Sequence, residues 1–189
     1  MLLFKKVFII FLGLFSIFFY VYYKKSNNTF YKNILVYSFG IYISILVGIT
    51  LFPLPIQPEE IAVNIKYNLG LKNNYVPFIN TYKNLILDYN HGLIFASLKQ
   101  IVGNILIFIP IGIYMPYFIK KINLKKIIII GLSSSLIIEL TQLFINTILT
   151  YNYRSVDVDD LILNTIGTII GYGLYKIVYK KFDNLIDSN

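Results

Sequence analysis

Apolar residues along this 189-residue chain gather into five runs, each near the roughly 20 residues that a helix needs to cross a bilayer. The first is Val7 to Tyr23, set between Lys5-Lys6 and Lys24-Lys25. No small-residue cleavage site follows it, so it reads as an uncleaved span rather than a signal peptide. The second, Ile34 to about Phe52, is closed by Pro53, Pro55 and Pro58, which cannot continue a helix. The third is Ile101 to Ile119, the fourth Ile127 to about Leu149, and the fifth Leu161 to Val178. The pattern predicts an all-α polytopic membrane protein: a bundle of about five transmembrane helices with one long outer loop.

The organisation that follows is an N-terminal span with a short cytoplasmic loop (1–30), a main transmembrane domain (31–182) and a cytoplasmic tail (183–189). Spans fall at about 34–52, 101–119, 127–149 and 161–178. The loop 57–97 is polar, rich in Asn and Tyr, and expected to pack on the membrane face. Within it, Thr81 to Tyr89 reads as a short interfacial helix.

Composition sharpens this picture. Hydrophobic residues make up 57% of the chain and charged ones 14%, against about a quarter charged in soluble domains. With no cysteine, disulfides and thiolate metal sites are excluded. The single histidine, His91, excludes multi-histidine metal sites and reads as an exposed loop residue. No cofactor is implied. The wealth of Ile, Asn, Lys and Tyr is of the kind coded by A+T-rich bacterial genomes, which points to a bacterial cell membrane.

The net charge of +8 raises nucleic acid as a partner, but its distribution argues for topology instead. With the spans in alternating sense, one side receives Lys24, Lys25, Lys32, Lys120, Lys121, Lys125, Lys126, Lys176, Lys180 and Lys181, against Asp183 and Asp187. On the other side positive and negative residues balance. The first side is expected to be cytoplasmic, with the C-terminus there and the 57–97 and 150–160 connections outside. Lys5 and Lys6 dissent from this orientation.

The candidate chemistry lies inside the apolar runs. At about 100° per residue, Ser135, Glu139, Gln142 and Asn146 share one sector of the fourth span. Asp160, Asn164, Gly167 and Gly171 share one on the fifth, and Gln100 with Asn104 on the third. Ionisable groups at membrane depth are costly and mark functional sites by default. The three stripes are expected to meet in the outer leaflet, bringing Asn104, Glu139 and Asn164 together beneath a turn that carries Arg154, Asp157 and Asp160. Arg154 is the only arginine, and its planar fork suits a carboxylate or phosphate. Asp159 points away from the stripe and is expected to be solvated. Gly167 and Gly171, four apart, suit a close helix crossing. The bland reading of Asn104 and Asn164 is interhelical glue, that of Glu139 a protonated, hydrogen-bonded structural residue, and that of Arg154 a surface ion pair.

These residues carry a resemblance. TLFP (Thr50 to Pro53), NYVPF (Asn74 to Phe78), GNILIFIPIG (Gly103 to Gly112), SLIIELTQ (Ser135 to Gln142) and RSVDVDDLILNTIGTIIG (Arg154 to Gly171) resemble segments of the VanZ-like family. The family's recurring polar residues match Asn104, Glu139, Gln142, Arg154, Asp157, Asp160 and Asn164. The resemblance implies a polytopic membrane protein similar to one associated with resistance to teicoplanin, a glycopeptide that binds cell-wall precursors outside the membrane.

Three functions compete. The first is an outer-leaflet site for a membrane lipid or lipid-linked wall precursor, in which Arg154 contacts phosphate and Asn104, Glu139, Gln142, Asp157, Asp160 and Asn164 contact the rest of an anionic or polar head group. The second is a membrane-embedded hydrolase or transferase, with Glu139 as general base and Asp157 with Asp160 holding a divalent metal. The third is a structural or partner-binding subunit.

Overall fold

The computed structural model describes residues 30–55 and 57–186, together with residues 13, 15 and 16, and side chains between Lys32 and Val178. The span expected over Val7 to Tyr23 lies, but for those three residues, outside the described residues, as does the end of the expected tail. Six helices are delimited: α1 (Phe30–Leu51), α2 (Pro58–Lys66), α3 (Ile79–Asn90), α4 (Ile94–Phe118), α5 (Leu124–Leu149) and α6 (Val158–Ile186). Four contain stretches long and apolar enough to cross a membrane: Lys32–Leu51, Ile94–Phe118, Leu124–Leu149 and Val158–Val178. The chain divides into two units, Met1–Val63 and Asn64–Asn189.

In the first unit, α1 is apolar apart from Lys32 and Asn33 near its start and a few hydroxyls. Ser38, Ser44 and Thr50 donate back to the carbonyls of Leu35, Gly40 and Leu46 at 3.1, 2.9 and 2.9 Å. This back-bonding satisfies a hydroxyl inside a span without a partner helix. The helix α2 runs across the division between the units. It opens with Pro58, Glu59 and Glu60 and closes with Lys66, so its charges oppose the helix dipole.

The second unit holds α3 to α6. In it α4 and α6 run parallel, α5 runs against both, and α3 packs on α4. Glycine sets the α4–α6 crossing. A Cβ at Gly167 would collide with the carbonyl of Ile105, one at Gly171 with that of Ile109, and one at Gly112 with that of Thr168. The two backbones therefore touch directly, as small residues allow in a membrane. Gly131 of α5 faces Thr168, which is fully buried. Around these contacts lie Phe108, Ile111, Ile127 and Tyr172, all buried. Outward, Ile129, Ile137, Phe144, Ile148 and Ile177 are exposed, the apolar surface that a bilayer covers.

Two boundaries differ from the sequence reading. The third span begins at Ile94, not Ile101, because Ser97, Lys99 and Gln100 look like loop but occupy the first turns of α4. Gly92, at φ 71°, makes the turn that lets α4 start there. The loop 57–97 also carries more helix than expected. It holds α2 as well as α3, and α3 covers and slightly extends the expected Thr81 to Tyr89.

Candidate functional site: the capped end of the last helix

The buried face of α5 is Ile127, Gly131, Ser135, Glu139, Gln142 and Asn146. Steps of three and four put these on one stripe, and the half nearest the 150–157 loop is entirely polar. Asn146, Glu139 and Ser135 each bond the loop or the start of α6 as the chain turns from α5 into α6. Asn146 holds the loop: its Oδ1 accepts from the backbone N–H of Tyr153 at 3.1 Å and of Arg154 at 3.4 Å, and its Nδ2 donates to the Arg154 carbonyl at 2.8 Å. Glu139 Oε2 accepts from the Asp157 backbone N–H at 2.9 Å. Ser135 accepts from Asn164 Nδ2 at 2.8 Å. Gln142 is buried between Glu139 and Asn146 on the same stripe.

Asp157 is the N-cap of α6. Its Oδ1 accepts from the Asp159 N–H at 2.8 Å, the bond by which an Asp satisfies a free N–H of the first turn. Its own N–H is met by Glu139, so a side chain from a second helix completes the cap. On α6 itself, Asp160 accepts from Asn104 Nδ2 of α4. Asn104, Glu139 and Asn164 thus reach the same helix end, where their bonding partners are Asp160, the Asp157 N–H and Ser135. Buried as it is, Asn164 leaves its Oδ1 without a hydrogen-bond partner.

A strap of the long loop closes the end. Asn74 pairs with Asp157 as a parallel bridge: its N–H donates to the Val156 carbonyl at 2.9 Å and its carbonyl accepts from Val158 at 3.0 Å. Leu71 N–H donates to the Asn152 carbonyl at 2.8 Å, Ser155 Oγ to the Lys72 carbonyl at 2.6 Å, and Val156 N–H to Asn73 Oδ1 at 3.0 Å. Asn74 Nδ2 also bridges Asp157 Oδ1 at 2.7 Å and Asp159 Oδ2 at 3.2 Å.

Asp159 corrects the sequence reading. It was expected to be solvated, but only 2% of it is exposed. Its carboxylate accepts from the Phe78 N–H at 2.7 Å, from Thr81 Oγ1 and from Asn74. Asp159 does point away from the α5 stripe, and residues 74–81 cover that side. Phe78, with φ 63° in the left-handed region, directs its N–H to this carboxylate.

Outside the spans, burial pushes the Asp157 carboxyl above its ordinary value, opposed by the Asp159 N–H and the Asn74 amide. Burial likewise raises Tyr153, which the neighbouring Arg154 charge lowers in part. Arg154 is half-buried, and its charge also reaches Asp160. His91 is exposed, with Nδ1 2.7 Å from the Leu87 carbonyl at the end of α3. No group of three or more His, Cys, Asp or Glu side chains among the described residues is placed to hold a metal ion.

The sequence reading passed over Asn74 and gave Asn146 and Ser135 no named role. Asn74 opens the NYVPF segment, so the signal for it was present. Asn146 and Ser135 belong to the four-residue rhythm of the α5 stripe.

A helical protein whose spans are apolar outside and polar within, at the end where a loop straps the helix cap, is a multi-pass membrane protein. The chain belongs to the VanZ/LLP1 family, whose model matches residues 39–179, from within α1 to beyond the apolar part of α6. Among curated proteins and among solved structures nothing matches it.

Proposed function

We propose that the capped end of α6 is a binding site for a lipid-linked or anionic head group, in the outer leaflet of a bacterial cell membrane with the C-terminus cytoplasmic. The observation that carries this reading is the fixed placement of the only arginine. Asn146 clamps the backbone on both sides of the Tyr153–Arg154 peptide, Asn73 and Lys72 hold Val156 and Ser155, and Glu139 holds Asp157. So constrained a loop fixes the backbone from which the Arg154 side chain projects, which favours a preorganised site. The guanidinium would grip one phosphate in two-point fashion. Asp157, Asp160, Gln142 and Asn164 would meet the donors of the same head group. Such a site would suit a contribution to cell-envelope homeostasis or glycopeptide resistance.

The hydrolase reading is less favoured. Asp157 and Asp160 have oxygens engaged by Asn74 and Asn104, and Glu139 has one on the cap. Each of the three carboxylates therefore has one oxygen committed to the architecture.

The test is lipid mass spectrometry on the full chain purified with native lipids. Arg154→Lys should keep thermal stability in detergent and lose most of the co-purifying phospholipid, since lysine keeps the charge and not the fork. Unchanged lipid retention would remove the head-group reading and favour a structural or partner-binding subunit. Cysteines introduced at Glu60 and Ser188 test the orientation. In intact cells an impermeant thiol reagent should label the first and not the second, and the reverse would overturn it.

A further inference from the structure

A small cleft opens between α3, α4 and the start of α6, lined by Thr81, Asn84, Ser97, Gln100, Ile101, Asp160 and Leu163. Asp160 and Thr81 are shared with the candidate site. The cleft has room for one group of about water size.

Its polarity follows from where the two hydroxyl protons go. Thr81 Oγ1 donates to Asp159, and Ser97 Oγ donates to Asp88. A hydroxyl has one proton and two lone pairs, so each of these faces the cleft as an acceptor only. Asp160 is an acceptor as well, and the Asn84 and Gln100 amides adapt, each able to turn either its carbonyl oxygen or its NH2 inward. Behind the two hydroxyls stand the carboxylates of Asp159 and Asp88. No lysine or arginine lines the space. The charge of Arg154, which is not among the lining residues, acts on Asp160. A space that offers the acceptors of Thr81, Ser97 and Asp160 beside the apolar Ile101 and Leu163, backed by the carboxylates of Asp159 and Asp88 and sized for one small group, suits a compact donor with several protons and a positive charge.

We propose that this cleft binds a primary ammonium group. A –NH3⁺ has three donors and nearly the size of water, whereas a trimethylated ammonium has no N–H donor and is too large. The inference rests on the head-group reading and deepens it: the ligand carries an amine for the cleft beside a phosphate for Arg154. The amine comes either on a lipid or as a free small molecule.

The experiment compares phosphatidylethanolamine with phosphatidylcholine of the same chains, each presented in nanodiscs to the purified full chain, with bound lipid counted by native mass spectrometry. The wild type should retain the ethanolamine lipid about tenfold over the choline lipid, a difference of about 1.4 kcal/mol. Gln100→Lys, at an exposed position, places a tethered ammonium in the cleft and should bring the ratio to about one. Asn84→Lys, also exposed, is the second variant and should do the same if the first melts early. Displacement by free ethanolamine assigns recognition to the amine alone, and discrimination without displacement assigns it to the lipid-borne amine. Equal retention of the two lipids by the wild type, or discrimination that survives both lysine variants, overturns the proposal. Arg154→Lys separates the two readings: it should weaken both lipids alike and leave their ratio intact. If no phospholipid is retained at all, the head-group reading fails by itself. Free ethanolamine then decides the cleft: a melting shift in the wild type that both lysine variants lose keeps it, and no shift removes it.

Discussion

The two halves of the α4–α5–α6 bundle solve the same problem by opposite means. Away from the strap, Gly112, Gly131, Gly167 and Gly171 remove side chains so that backbones meet, and Phe108, Ile111, Ile127 and Tyr172 fill the remainder. Near the strap, Ser135, Glu139, Asn146, Asp159 and Asn164 are buried and bonded to backbone or to one another, with Gln142 buried among them. In lipid, apolar side chains gain little by leaving the bilayer, so close van der Waals contact has to hold the first half together. The second half is held by polar groups that would otherwise be unsatisfied in a dry interior. Packing of the first kind tolerates no added atoms. Bonding of the second kind tolerates no removed ones.

That contrast predicts its own largest failure. Gly171→Leu puts a branched side chain against the Ile109 carbonyl, where neither backbone can give way. It should cost more than about 3 kcal/mol and leave little folded protein in detergent-solubilised membranes. Gly103→Ala is its counterpart on the same bundle, since a Cβ there meets nothing within 4 Å. Its melting temperature should match the wild type. Equal losses in the two variants would mean that the α4–α6 crossing is looser than its geometry states.

Next in size is Asp159→Ala. Three donors, from Phe78, Thr81 and Asn74, lose their acceptor inside a covered space. Leaving buried donors unmet costs about 1 to 3 kcal/mol each in favourable cases, and relaxation of the strap should hold the total near about 3 kcal/mol. Hydrogen exchange should accelerate over residues 74–81 and much less over the glycine crossing. Uniform acceleration across the bundle would show that the strap is not a separable part.

The sequence made the spans legible because membrane thickness dictates length and apolarity together, and four of the expected five coincide with described helices. The inward stripes were legible for a similar reason. A carboxamide or carboxylate inside an apolar run cannot face lipid, so Glu139, Gln142, Asn146 and Asn164 had to point inward, and all four are buried. The strap was not legible. Asn74 meets Asp157 across 83 residues, and Thr81 meets Asp159 across 78, through side chains with no periodic signature. Asp159 looked solvated because a helix wheel contains only its own helix. The start of α4 was hidden likewise: Ser97 looks like a loop residue until Asp88 of α3 accepts its hydroxyl proton.

A smaller loss is expected where the polar half holds a loop rather than a helix. Asn146→Ala removes three bonds to the Tyr153–Arg154 backbone. Because this turn can reach water on its open side, the cost should be about 1 to 2 kcal/mol, below that of Asp159→Ala. The local signature is faster exchange at the Tyr153 and Arg154 amides with α4 unchanged. An unaltered exchange rate at those two amides would show that the strap alone fixes the loop.

The smallest effect is one of pH, and it tests whether the polar half tolerates charge as well as bonding. Burial raises Asp157 in the folded protein above its ordinary value of 3.8, so the folded state holds this proton more tightly than the unfolded one. The resulting stabilisation is fully present below the unfolded value and is lost as pH rises through the raised folded value. Asp157→Asn removes the titration while keeping an N-cap acceptor, because Asn caps about as well as Asp. The difference in melting temperature, wild type minus variant, should therefore fall as pH rises from the ordinary carboxylate value of 3.8 toward neutrality. The variant also separates cap from charge. Were the Asn74 and Asp159 N–H bonds to dominate over burial, they would favour the carboxylate, and the difference would rise with pH instead. A rising profile would mean that the helix end welcomes negative charge, and the case for an ammonium rather than an anion in its neighbourhood would rest on the cleft alone.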